Sequence, residues 1–156
     1  TSMFLHGSLM HLLGNMLYLY IFGDNIEHIC GHFRFLGFYL LAGLMAFVTH
    51  FILNIHVNMP MVGASGAISG ILGAYALRFP QARVHVLVFL FFLITTFRVP
   101  AVVVLGLWFI MQLFNGMAAL SAQGGVAWFA HVGGFVAGLL FLRFFEKDHY
   151  RVSFRR

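Results

Sequence analysis

The chain has 156 residues, 62% of them hydrophobic and only 8% charged, with a mean hydropathy of +0.94; since a soluble domain carries about 25% charged residues, this composition excludes one and indicates a membrane protein. The net charge of +5 comes from nine Lys and Arg scattered singly until the C-terminus, a pattern of topology signals rather than of a nucleic-acid face. Cys30 is the only cysteine, so an intrachain disulfide is excluded and the thiol is expected to be silent.

One domain over residues 1–156 accommodates everything. No basic n-region precedes the first apolar segment, so no signal peptide is expected, and a start at Thr1 without a methionine is expected of a fragment. Apolar runs near the roughly 20 residues needed to cross a bilayer cover Phe4–Phe22, Phe35–Leu53, Met61–Phe79, Val99–Met117 and Val126–Phe145, which predicts five spans. A further run, Val84–Phe97, has 14 residues, is rich in β-branched and aromatic side chains and is bounded by Arg83 and Arg98. It is predicted to be interfacial or re-entrant rather than a crossing. Alternation of the five spans puts residues 1–3, 54–60 and 118–125 on one side, and 23–34, 80–98 and the C-terminal tail on the other. All nine Lys and Arg, and all four carboxylates (Asp24, Glu27, Glu146 and Asp148), fall in or beside the second set. The positive-inside rule then makes that side, with the C-terminus, cytoplasmic.

With fixed charge gone from the outer half, the polar groups left inside the runs are His6, His11, Asn15, Thr49, Ser65, Ser69, Gln112, Asn115 and His131. Each costs free energy in hydrocarbon unless partnered or wet, which makes the ionisable ones functional candidates. Ser65, in Gly63-Ala64-Ser65-Gly66, is expected near the outer end of the third run, and His131 about four residues into the fifth from the same side. At about 1.5 Å rise per residue the two reach similar depths. A serine becomes a useful nucleophile when a neighbouring imidazole accepts its proton. Glycine stripes permit that approach: Gly66, Gly70 and Gly73 run down one run, and Gly134 and Gly138 share the His131 face of the other. Either motif alone is explained by helix packing; their conjunction at one depth points to chemistry.

A hydrolytic serine also needs donors for the developing oxyanion. His11 and Asn15 lie four apart on one helical face in the same half of the membrane, and the Ser65 amide is a third candidate. No carboxylate is placed to orient His131, so a dyad is expected. A zinc protease would need His-Glu-x-x-His. The nearest set, Glu27-His28 with His32, has the wrong order and is read as a cytoplasmic loop; no metal site or cofactor is expected. An aspartyl mechanism would need two intramembrane Asp residues, and Asp24 stands alone.

The ordered set His6-x4-His11-x3-Asn15, Gly63-x-Ser65-Gly66 and Ala130-His131-x2-Gly134-x3-Gly138 resembles the rhomboid family of intramembrane serine proteases along nearly the whole chain. The resemblance implies an all-α polytopic transmembrane bundle with five of the usual six core helices present and the first missing. It implies Ser65 as nucleophile, His131 as general base and acid, and His11, Asn15 and the Ser65 amide as the oxyanion site. His6, Gly63, Gly66, Gly70, Gly134 and Gly138 match motif or packing positions. Its implied partners are the lipid bilayer and single-span transmembrane protein substrates, cut near the membrane surface from a water-filled cavity, with no nucleic acid. By the same analogy the run Val99–Met117 borders the path by which substrate enters, and residues 117–127, with Gly124 and Gly125, form a mobile cap loop. A bacterial plasma membrane is the implied location. The chain departs from the family pattern in lacking the first helix and the long loop with its Trp-Arg signature, in showing no regulatory domain at either end, and in carrying Ser69 where some members stack a tyrosine on the histidine. Two other classes fit less of the sequence. A non-catalytic binder of transmembrane segments would typically lack the serine or the histidine, and a His-lined transporter leaves the serine motif unexplained.

Overall fold

Ser8 sets where the first long helix begins: its hydroxyl accepts a 3.1 Å hydrogen bond from the His11 amide, the role an N-cap serine plays for an otherwise unpaired donor. The computed structural model describes residues 2–53, 62–90, 93–119 and 127–151. A short 3-10 turn, Ser2–Phe4, leads into α1 (Leu9–Cys30), followed by α2 (His32–Leu53), α3 (Ser65–Arg78), β1 (Arg83–Leu90), β2 (Leu93–Pro100), α4 (Ala101–Ala119), α5 (Trp128–Phe145) and a four-residue α6 (Asp148–Arg151). A single residue, Gly31, joins α1 to α2. It holds φ 82, a left-handed value that favours glycine, while its amide donates to the Glu27 carbonyl at 2.6 Å.

α3 is the centre of the bundle. Every residue from Gly66 to Tyr75 is buried, and α1, α2, α4 and α5 all pack on it, as expected of a helix apolar on all sides. Its closest partner is α5, and the contact is made by backbone. A Cβ added to Gly134 would overlap the Gly66 carbonyl oxygen, one on Gly138 that of Gly70, and one on Gly73 that of Phe135. α2 closes on the same glycines: a Cβ on Gly66 would come within 2.7 Å of the Ala46 methyl of α2, and one on Gly70 would overlap that of Ala42. Small residues on three helices thus let the main chains meet, the packing that membrane helices use in place of water expulsion.

The expectation of five spans is corrected to three. Among the described residues, α2, α4 and α5 are long and apolar enough to cross a bilayer, and the chain is a multi-pass integral membrane protein. Their outward faces are apolar: Leu40, Leu44, Phe47 and Phe51 on α2, and Val103, Leu107, Ile110 and Phe114 on α4, are exposed at helical spacing. Two of the five runs do not qualify. The first run was read as Phe4–Phe22, but its helix starts at Leu9 and continues through Gly23, Asp24 and Glu27 to Cys30, which dilutes its hydropathy. The third was read as Met61–Phe79, but the helix begins only at Ser65 and has 14 residues, about 21 Å against the roughly 30 Å hydrocarbon layer. The segment 23–34, read as a loop, is helical except at Gly31.

The run Val84–Phe97 is neither helix nor simple loop: it forms the antiparallel pair β1 and β2, in a register that sets His85 opposite Arg98. Val84, Val86 and Val88 are half-buried while Arg83, His85 and Leu87 are exposed, the two-residue period of a strand. The hairpin is the one departure from an otherwise helical architecture among the described residues. It is pinned to the bundle where the Ala101 and Val102 amides donate to the Ala82 and Pro80 carbonyls at 2.7 and 3.1 Å. An open pair of strands leaves edge groups that hydrocarbon cannot satisfy, so this element belongs outside the lipid core. The expected loop at 54–60 lies outside the described residues, as do residues 120–126 of the cap loop expected over 117–127, Gly124 and Gly125 among them; residues 117–119 belong to the end of α4.

Candidate active site

Ser65 is the first residue of α3 and His131 the fourth of α5, and the glycine seam between those helices brings them together: Ser65 Oγ lies 2.8 Å from His131 Nε2. Because Ser65 opens its helix, its own N–H has no intrahelical acceptor and lies at the positive end of the α3 dipole. Gly63, two residues earlier, holds φ 109. A Cβ there would come within 2.6 to 2.7 Å of the His11 ring and 3.5 Å of Asn15 Nδ2. The absence of a side chain at Gly63 therefore lets two groups of α1 close on the turn that carries Ser65.

Asn15 is buried, and its Nδ2 has no hydrogen-bond partner among the described residues. A buried amide nitrogen left unpaired costs roughly 1–3 kcal/mol, and this one lies against Gly63, in the turn that leads to Ser65. His6 stands edge-on to His11 with ring centroids 5.1 Å apart, and its Nε2 is likewise buried without a partner among the described residues.

A model of the Rhomboid domain matches residues 1–147. The chain belongs to the rhomboid family. The mitochondrial presenilin-associated rhomboid-like protein of Bos taurus is 33% identical over 88 residues, covering 55% of this chain and 23% of that protein. Rhomboid protein 1, mitochondrial, of Saccharomyces cerevisiae is 29% identical over 153 residues, covering 94% and 41%, and RHOMBOID-like protein 4 of Arabidopsis thaliana is 35% identical over 136 residues, covering 87% and 30%. The chain thus spans less than half the length of each of these curated relatives. No solved structure gives a significant match.

In this rhomboid-family chain the His131 ring is held by groups to which the sequence reading gave no role. Trp108 of α4 lies beside it with centroids 6.0 Å apart, and Trp128 of α5 meets it edge-on at 6.3 Å. Gln112 Oε1 lies 2.9 Å from Nδ1. The signal was present in the spacing: Trp128 precedes His131 by three and Trp108 precedes Gln112 by four, so each pair shares a face. The Ser69 hydroxyl donates to the Ser65 carbonyl at 2.6 Å, one turn back in α3.

The other end of the seam carries fixed charge. Buried Glu146 faces Arg78 Nε at 3.3 Å, the Arg34 guanidinium donates to the Glu146 carbonyl at 3.2 Å, and the Lys147 ammonium donates to the His28 carbonyl at 3.0 Å. Burial, and then the nearby Glu146 carboxylate, pushes the Cys30 thiol up to about 12, which leaves almost no thiolate at neutral pH. Glu27 and His32, read as loop residues, instead end α1 and open α2, where they pair at 2.5 Å on the surface. Among the described residues no three His, Cys, Asp or Glu gather to hold a metal.

Proposed function

We propose that this chain is an intramembrane serine endopeptidase that hydrolyses peptide bonds in or near transmembrane segments of other membrane proteins through a Ser65–His131 dyad. The observation that carries this reading is the 2.8 Å contact between Ser65 Oγ and His131 Nε2, made by residues 66 positions apart on two helices whose backbones meet. In the reaction, His131 takes the Ser65 proton as Oγ attacks the scissile carbonyl. His11, Asn15 and the Ser65 amide receive the oxyanion, and the imidazolium returns its proton to the leaving amine. Water, deprotonated by His131, then releases the acyl group from Ser65.

Single-span substrates arrive from the side, through lipid. A helical substrate keeps its carbonyls bonded within itself, so the scissile segment must unwind before attack, which favours Gly or Pro near the cut. The clustering of Arg34, Arg78 and Lys147 at the end away from Ser65 supports a cytoplasmic position for that end and for the C-terminus, in a membrane such as the bacterial plasma membrane. The active-site reading is tested with a serine-directed phosphonate on the chain in proteoliposomes. Labelling is expected at Ser65 and is expected to vanish in Ser65→Ala and to drop sharply in His131→Ala; label that stays on the Ser65→Ala protein removes Ser65 as the nucleophile.

A further inference from the structure

An imidazole has two nitrogens, and the dyad uses one of them. Nε2 of His131 accepts the Ser65 proton only while the ring's own proton sits on Nδ1. Nδ1 lies 2.9 Å from Gln112 Oε1, and an amide oxygen can only accept, so this contact keeps the proton where the dyad requires it. An amide turned the other way would present N–H to Nδ1 and force the opposite tautomer, in which Nε2–H points at Ser65 and cannot take its proton.

Gln112 is built into this place. It is the one buried polar side chain of α4 among the described residues, 6% exposed. Trp108 one turn before it packs on His131, and Gly116 one turn after it lies against α5, where a Cβ would meet the Phe129 ring at 3.2 Å. One stripe of α4 thus faces the start of α5, with Gln112 in the middle of that stripe.

We propose that Gln112 is a positioning residue, which fixes both the tautomer and the ring direction of His131 as a neutral substitute for the carboxylate of a triad. The proposal rests on the dyad reading above. Neutrality suits the location, because a carboxylate in the same buried place would carry a desolvation cost that an amide avoids. Because Gln112 rides on α4 while Ser65 and His131 ride on α3 and α5, displacing α4 by more than a hydrogen bond's length would release the ring without moving the nucleophile.

Nitrogen-15 spectra of the histidines in the unmodified protein, assigned by comparison with His131→Ala, are expected to place the His131 proton on Nδ1 with Nε2 bare. A ring protonated on Nε2 overturns the proposal without any activity measurement. In cleavage assays, Gln112→Leu is expected to lower kcat about 10- to 100-fold, the usual cost of losing an orienting outer partner, with KM changed by less than about twofold. Gln112→Glu, whose carboxylate restores an acceptor at the same reach only when ionised, is expected to recover activity as the pH is raised, since the protonated acid would donate to Nδ1 and force the opposite tautomer. A Gln112→Leu protein that turns over like the unmodified one overturns the proposal while leaving the dyad standing. Unchanged cleavage by Ser65→Ala would instead sink the dyad, and the tautomer spectrum would still decide the role of Gln112.

Discussion

At one end of the α3–α5 seam Arg78 and Glu146 face each other at 3.3 Å, with Arg34 and Lys147 tied to neighbouring carbonyls; at the other end, about 22 Å along α5, lies the candidate site of Ser65, His131, Gln112, His11 and Asn15, none of which carries a fixed charge. The same two helices supply both ends. The charged end is held by an ion pair and by bonds to carbonyls, and it lashes α1, α2, α3 and α5 together. Buried polar atoms without a hydrogen bond among the described residues occur at both ends: Asn15 Nδ2 and His6 Nε2 at the neutral end, where no ion pair offsets them, and the Glu146 carboxylate oxygens at the charged end, where the ion pair with Arg78 compensates them. A buried ion pair can lock helices because removing either partner strands the other. A reactive site cannot be locked in that way, since its hydrogen bonds must be free to form when substrate arrives. On the proposed function, the ion pair that ties the helices and the candidate site thus sit at opposite ends of one close glycine contact.

This contrast can be broken or sharpened by substitution. The largest expected effect on stability is at the charged end: Glu146→Ala leaves the partly buried Arg78 guanidinium without its carboxylate and is expected to destabilise the protein by about 3 kcal/mol, the low end for breaking a buried pair. Thermal or denaturant unfolding in detergent measures it. At the neutral end Asn15→Ala removes a side chain whose amide nitrogen makes no hydrogen bond among the described residues. Its expected cost is about 10²- to 10³-fold in kcat, with the melting temperature nearly unchanged. If Asn15→Ala unfolds the protein and spares kcat, the assignment of roles to the two ends is reversed. Between the ends, Gly138→Ala pushes a methyl into the Gly70 carbonyl and is expected to cost about 1–3 kcal/mol. The smallest effect has the opposite sign: Gly106 of α4 has nothing within 4 Å of an added Cβ, so Gly106→Ala should stabilise by about 0.5–1 kcal/mol. Equal responses at Gly138 and Gly106 would mean that the seam is not the close contact described.

The residues of the candidate site were legible because polar side chains within the apolar runs are few and each must be accounted for. Ser65, His131, His11 and Asn15 could be named from position and spacing alone, and the glycine stripes indicated which helices meet. The helix ends were not legible. Hydropathy runs count apolar residues whether or not they are helical, so Met61–Phe79 absorbed the turn before Ser65, and Phe4–Phe22 missed the polar continuation of α1 to Cys30. Val84–Phe97 was recognised as unlike a span, yet its strands escaped notice, although the alternation of Val84, Val86 and Val88 with Arg83, His85 and Leu87 was there to read. Gln112 was seen as a polar group without a role, because which polar residue reaches His131 depends on how α4 is rotated against α5, and single-helix periodicity does not fix that angle.

The central claim is that the alcohol at the start of α3 performs the cut. It is tested most directly by reconstituting the chain with a single-span reporter protein in lipid vesicles and comparing its cleavage rate with that of the Ser65→Ala form. The account expects a loss of about 10⁴-fold or more with an unchanged melting temperature; cleavage by the Ser65→Ala protein at a comparable rate would contradict it.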